Sequence, residues 1–401
     1  MLKKPKQAHL NILTLIITYF LWGFVNFIYL IQIQPYILSI HEGTADEAAK
    51  ALGVILSIGS FSAVLPVLLG FFADRYGRKL FIILGEFLSL SGLFGLSLTN
   101  NHILFIVISI ILFNAGIGIH DPPLNGLIYE SSNKKRRGLA FSAIYNSSAI
   151  AGILASLIIQ TDGNSYLLFF QAGCLLFIIL ILMNFILLKD IKPNIQKFTF
   201  PLKKIIEEPL SRLTAIAFAV DSFSWGLPLS IANGIFILLF EVDVSFIASL
   251  TLFQTIFLVL FQYPAGFMVD HWGRLLGLLI GEIFGIFWIF SVQIAFINPE
   301  NVQELLLLGY AFLGISIAYW RPSVTLSFIS LDPSVVSTNF GILSFIQRLG
   351  WVPTAAIGGL IFSLFGFSPL LLVTIFGTLI VIVFFYKIDK LENFTNLNET
   401  M

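Results

Sequence analysis

Ten residues, Gly70-Phe-Phe-Ala-Asp74-Arg75-Tyr-Gly77-Arg78-Lys79, set a knot of charge between two long apolar runs, and the arrangement returns 196 residues later. Gly70, Asp74, Gly77 and Arg78 fall on Gly266, Asp270, Gly273 and Arg274, and the register holds into the next run, where Gly85 and Glu86 fall on Gly281 and Glu282. A short glycine-containing turn between two hydrophobic helices must reach water, because unpaired backbone groups in hydrocarbon each cost several kcal/mol. Both copies therefore mark the same side of a membrane.

Composition supports this class. Hydrophobic residues make up 57% of the 401 and charged residues only 11%, far below the roughly 25% charge of a soluble domain. The apolar run from Leu10 to about Ile33 is too long for a signal-peptide core and reads as a first span. Further spans are expected near 51–73, 79–99, 102–129, 139–160 and 165–188, then 213–240, 245–269, 275–297, 303–330, 336–363 and 367–386. Two six-helix halves, 1–188 and 212–401, are thus joined by a polar, proline-interrupted linker at 189–211. Cys174, the single cysteine, cannot form an internal disulfide and reads as a packing residue.

Basic residues set the orientation. With both ends cytoplasmic, nineteen of the 22 Lys and Arg lie in the N-terminal tail, the turns at 75–79, 134–137 and 274, the linker with Arg212, and the C-terminal tail. The opposite side receives Glu42, Asp46, Glu47, Glu241, Asp243, Glu300 and Glu304, with Lys50 as its lone base. The expected location is the cell membrane, crossed many times.

The pattern Gly-x-x-x-Asp-Arg-x-Gly-Arg-Lys between the second and third spans, weakly echoed half a chain later, resembles the major facilitator superfamily of secondary transporters. The second copy departs from it, with His271 for the first arginine and Leu275 for the lysine. The resemblance implies an all-α polytopic membrane protein of twelve transmembrane helices in two pseudo-symmetric six-helix bundles, moving a small organic solute by alternating access. It implies a gating role for Gly70, Asp74, Arg75, Gly77, Arg78, Gly266, Asp270, Gly273 and Arg274. Asp74 lies just before a helix start and three residues from Gly77, where its carboxylate can accept backbone N–H groups; in the family the corresponding acid holds the halves together. The fifth-span antiporter signature is absent, since Ala149 to Ser156 contains no proline.

Repeats between the halves extend to Phe20-Leu-Trp22-Gly23 against Phe223-Ser-Trp225-Gly226, and Asp121-Pro122 against Arg321-Pro322. Duplicated six-helix halves place a solute site at their interface near the midplane. By resemblance the first, fourth, seventh and tenth spans line it. Asn26, Trp225, Asn233, Arg321 and Arg348 are candidate solute ligands, and Asp121 and Asp221 are candidate proton carriers. At 1.5 Å per residue both acids lie roughly 13–15 Å into the hydrocarbon, where ionisable groups face a bundle interior or wet cavity and pair. Two readings stand open: acid–arginine bridges that fix packing, or an acid that exchanges between arginine and proton while an arginine takes an anionic group of the solute. His120, beside Asp121 and close to a proline, reads as a packed polar neighbour, and Glu86 and Glu282 receive no role.

The sequence has no phosphate loop, His-Glu-x-x-His pair or paired Cys-x-x-Cys. An enzyme is therefore not expected, nor a cofactor, a metal or a nucleic-acid partner. The expected partners are a small-molecule solute, protons and membrane lipids, with the chain acting as a monomer. A receptor or assembly subunit that keeps the fold without transport is the competing class.

Overall fold

The computed structural model of the chain describes residues 4–41, 43–64, 66–99, 102–133, 136–190, 207–329 and 336–400. Lys134 and Lys135 of the basic loop, most of the linker and the turn at Asp332-Pro333 lie outside the described residues. Fifteen α-helices are described: α1 (Lys4–Ser39), α2 (Ala45–Ser60), α3 (Pro66–Tyr76), α4 (Arg78–Leu98), α5 (Ile103–Ser131), α6 (Arg137–Thr161), α7 (Tyr166–Leu187), α8 (Pro209–Leu229), α9 (Ala232–Phe240), α10 (Val244–Trp272), α11 (Arg274–Ile297), α12 (Val302–Ile329), α13 (Val336–Trp351), α14 (Thr354–Phe365) and α15 (Ser368–Thr400).

Among the described residues eleven helical stretches are long and apolar enough to cross a membrane. The remaining expected crossing, near 51–73, is broken. It runs as α2, a 3-10 turn at Phe61–Val64, and α3, which starts at Pro66. Two further expected spans also break in the middle, the seventh into α8 and α9 and the eleventh into α13 and α14. Proline explains these positions, because it lacks an N–H and its ring clashes with the carbonyl four residues earlier. Pro228 in α8 leaves the Ser224 carbonyl without its helical donor, and the Thr374 hydroxyl of α15 donates to it instead at 2.8 Å. Pro353 stands at the break in the eleventh span, as the N-cap of α14.

The inward faces carry close-packed aromatics, with Phe113, Phe141, Phe177, Phe218 and Trp288 fully buried. Outward faces carry large apolar side chains that nothing in the protein covers, such as Leu104 at 70% and Phe376 at 67% exposure. A chain that is apolar on both faces of its helices belongs in lipid.

Two turns at the basic end depend on glycine. Gly77 between α3 and α4 has φ 109° and Gly273 between α10 and α11 has φ 88°. With ψ of 149° and 166° respectively, both sit where only glycine is comfortable. Each reversal joins two crossings with one non-helical residue, which places the aspartate three positions earlier against the opposite half.

Candidate functional site

At the basic end the two halves are tied by two aspartates, each capping a helix of the opposite half. The Asp74 carboxylate does not cap α4, the helix that follows it. It accepts the amides of Ser337 (3.2 Å) and Thr338 (2.8 Å) and the Thr338 hydroxyl (2.8 Å), at the start of α13 in the other half. The start of α4 is capped by Asp190, whose Oδ1 accepts the amides of Arg78 (2.7 Å) and Lys79 (2.8 Å). In the repeat, Asp270 accepts the amides of Gly138 (2.9 Å) and Leu139 (3.1 Å) at the start of α6. A carboxylate at a helix N-terminus is held by free N–H groups and by the helix dipole, so each aspartate fixes a helix that comes from the opposite half.

Gly70 and Gly266 make these approaches possible. A Cβ on Gly70 would meet the Ser337 carbonyl oxygen at 2.5 Å, and one on Gly266 the Gly138 carbonyl oxygen at 2.9 Å. Arg78 completes the first lock. It is buried, donates to Asp74 at 2.8 Å and to Ser337 Oγ at 2.6 Å, and forms an ion pair with Glu130. Arg274 donates to the Ser327 carbonyl at 3.0 Å within its own half. Arg75 stays out of the network, exposed over the Tyr76 ring. Motif spacing marks Asp74 and Arg78 as special, but Glu130 and Asp190 lie far away in sequence, and nothing in that spacing pairs them with the turn.

The halves also meet at the acidic end. Gln34 of α1 donates to the Ser230 carbonyl (3.0 Å) and accepts the Gly234 amide (2.7 Å) at the break between α8 and α9. Ser57 of α2 accepts the Ala356 amide of α14 at 2.9 Å. Between the two ends lies a cavity of about 440 Å³, lined by Asp221, Trp225, Glu282, Trp320, Arg321, Gln347, Arg348 and Trp351 among others.

Three of the expected solute ligands face this cavity and two do not. Trp225, Arg321 and Arg348 line it. Asn26 instead donates to the Trp22 carbonyl of its own helix at 2.9 Å, and Asn233 accepts the Tyr310 hydroxyl at 2.8 Å. Among the described residues no ion pair within 4 Å joins Asp121 or Asp221 to either arginine. The Arg321 guanidinium lies 4.5 Å from the ring centre of Tyr145, a residue of the other half. Asp121 is close enough for its charge to act on both arginines. Cationic groups left without a bound carboxylate in a wet cavity are available to a solute.

Each half places a buried glutamate behind an intramembrane aspartate. In the first half, His120 bridges the two acids: its Nδ1 is 3.0 Å from Asp121 Oδ1 and its Nε2 is 3.8 Å from Glu86 Oε1. Trp22 stacks on the imidazole at 3.8 Å, and the Asn184 amide donates to Glu86. His120, buried and stacked on Trp22, is the packed polar neighbour the sequence suggested, and it also lies between two carboxylates. In the second half the carboxyls of Asp221 and Glu282 face each other, and Asp221 Oδ1 and Glu282 Oε1 are buried with no donor among the described residues. Their outer oxygens accept indole N–H groups, Asp221 from Trp320 at 3.1 Å and Glu282 from Trp225 at 3.0 Å. The signal for Glu86 and Glu282 was their shared place in the repeat.

The family described as the Major Facilitator Superfamily matches residues 12–219. Comparison with curated proteins gives no match. Among solved structures, the chain is similar to a D-xylose-proton symporter (TM-score 0.71, 14% identity, 95% of this chain and 98% of that one). It is similar to the human organic anion transporter MFSD10 (TM-score 0.70, 11% identity, 96% and 100%). The nucleoside transporter NupG, in a mutant form, gives a TM-score of 0.66 at 15% identity over 94% and 99%. The family match spans just over half of the sequence, and the helical repeat extends through the remainder: the chain belongs to the Major Facilitator Superfamily.

Proposed function

We propose that this secondary transporter carries an organic anion through the central cavity, coupled to protons. The observation that carries this reading is the pair of cavity arginines, Arg321 and Arg348, with no carboxylate of the described residues within ion-pair distance of either. Desolvated guanidinium groups bind carboxylates through charge-assisted, often bidentate hydrogen bonds. Trp225, Trp320 and Trp351 around them suit an anion with an apolar or aromatic body. Of the similar solved structures, one is an organic anion transporter and another a D-xylose-proton symporter; the arginine pair favours the anion.

Coupling follows from Asp121. When the cavity is empty its carboxylate balances part of the arginine charge; when an anion arrives, that attraction is shared and Asp121 takes a proton. His120 and Glu86 behind it offer the next sites for that proton, since an imidazole with carboxylates at both nitrogens can receive it on one side and release it on the other. The solute then crosses as the bundles 1–188 and 212–401 rock about the cavity. The locks at Asp74 and Asp270 close one end, and both chain termini lie in the cytoplasm at the cell membrane.

The test is uptake into proteoliposomes of a radiolabelled panel of aromatic and aliphatic carboxylates, with neutral sugars and nucleosides as comparison, with and without an inward proton gradient. Saturable carboxylate uptake, raised by the gradient and lost in Arg321→Gln, is expected. Uptake of the neutral solutes alone would overturn the anion reading, and gradient-independent uptake the coupling.

A further inference from the structure

Asp221 and Glu282 meet in a manner that ion pairing does not explain. Both carboxyls are about 1% exposed, they come from different helices, α8 and α11, and both line the cavity. One oxygen of each is held by an indole N–H, and the other, Oδ1 of Asp221 and Oε1 of Glu282, receives no donor from any other described residue. Two carboxylates pressed together in a low-dielectric site cannot both ionise, and a hydrogen bond between them requires a proton on one. Of the helices packed against α8 and α11, only α12 and α13 bring other charged side chains to this cavity among the described residues, Arg321 and Arg348. Helix α15 brings the neutral Thr374.

We propose that Asp221 and Glu282 are one proton-binding unit, separate from Asp121, which holds one proton between them and takes up a second from the cavity. Its bearing on transport rests on the anion reading above. Arg321 and Arg348 supply two positive charges, Asp121 and the singly protonated pair one negative charge each, and Glu86 with His120, sharing one proton, none. The empty cavity is then neutral. A bound monoanion leaves a charge of −1, which the proton taken by Asp121 offsets; a bound dianion leaves −2, and a second proton on the pair then restores neutrality and leaves with the anion when the cavity opens on the other side. Trp225 and Trp320 keep their indole bonds in both states, because each donates to an outer oxygen.

The pair is tested by infrared difference spectroscopy of the purified protein in nanodiscs as pH is stepped in H2O and D2O, on a Glu86→Gln background that silences the other buried glutamate. The expected result is a protonated-carboxyl band present at neutral pH that grows as pH falls. Asp221→Asn and Glu282→Gln should each remove the neutral-pH band of the shared proton, the one remaining carboxyl taking a proton only as pH falls, whereas Asp121→Asn should retain the band. A band unchanged in both pair variants, or lost only in Asp121→Asn, would overturn the proposal. Where Asp221→Asn fails to fold, Glu282→Gln and Glu282→Asp decide: the first must abolish the band and the second must shift it. The readout needs no solute. The expected band without carboxylate uptake leaves the pair standing while the anion reading fails, and arginine-dependent uptake without the band does the reverse.

Discussion

The two halves of the chain agree at their basic ends and disagree at their centres. At the ends, Asp74 caps α13 and Asp270 caps α6, each before a glycine turn of nearly the same geometry. At the centre, His120-Asp121-Pro122 of α5 stands where α12 has Trp320-Arg321-Pro322. The buried glutamate is kept in both, but it faces an imidazole in one half and a carboxyl in the other. Matched closing surfaces suit a duplicated protein that rocks, whereas an asymmetric solute suits unlike walls. On the proposed mechanism, symmetry marks where the halves move against each other, and its loss marks where the solute binds.

Breaking the centre should have the largest effect. Arg321→Gln removes one of two cations offered to the anion and leaves Asp121 with less compensation. Truncating a desolvated charge partner costs 2–5 kcal/mol or more, so at about 4 kcal/mol carboxylate uptake falls roughly 700-fold, measured as initial rates in proteoliposomes at equal protein. Arg348→Gln should act similarly. Retained uptake in both variants would remove the centre's claim to be the binding region. Asp121→Asn sharpens the same comparison: uptake driven by a proton gradient should disappear while solute counterflow continues, and gradient-driven uptake in this variant would place the coupling proton elsewhere.

What the sequence made legible follows the same division. The locks were visible because a glycine turn and its aspartate are local and repeat at a fixed shift, yet the helix that Asp74 caps was not, since Ser337 is 263 residues away. Depth placed Asp121, Asp221, Arg321 and Arg348 inside the membrane, but the direction each side chain faces depends on helix rotation, which hydropathy does not fix. Three of the four line the cavity, and of the two readings left open the acid–arginine bridges are not formed among the described residues, where Asp221 faces Glu282. Asn26 shows the same limit. A polar residue in a span suggested a solute ligand, and its amide instead turned back to its own helix.

The locks themselves are matched but not equal, and exchange can measure the difference. Among the described residues Asp270 offers only a cap, worth about 1 kcal/mol, so Asp270→Ala should speed hydrogen exchange at Gly138 and Leu139 about fivefold. Asp74 caps α13 and also carries a charge-assisted bond from buried Arg78, worth about 1.5–3 kcal/mol more. Asp74→Ala should therefore speed exchange at Ser337 and Thr338 about 100-fold and slow transport cycling while solute affinity holds. Equal effects of the two substitutions would show that Arg78 and Glu130 add nothing to the first lock.

The smallest expected difference lies between the two turns. Gly77 and Gly273 share a backbone conformation that costs a residue with a side chain roughly 1–3 kcal/mol, so alanine at either position should lower thermal stability by a similar backbone term. Their surroundings differ. A Cβ at Gly273 would meet nothing within 4 Å, whereas one at Gly77 would come within 2.7 Å of Asp190 Oδ2. Asp190 holds the first two amides of α4 through its other oxygen, so displacing it adds the loss of a cap, about 1 kcal/mol. Gly77→Ala should melt below Gly273→Ala when the purified variants are compared in one detergent. Asp190→Ala placed in both backgrounds should then erase the gap, because the contact that distinguishes the turns is gone. A gap that survives Asp190→Ala would assign the difference to the turn backbones, and the two halves would be unlike even at the end where they look most alike.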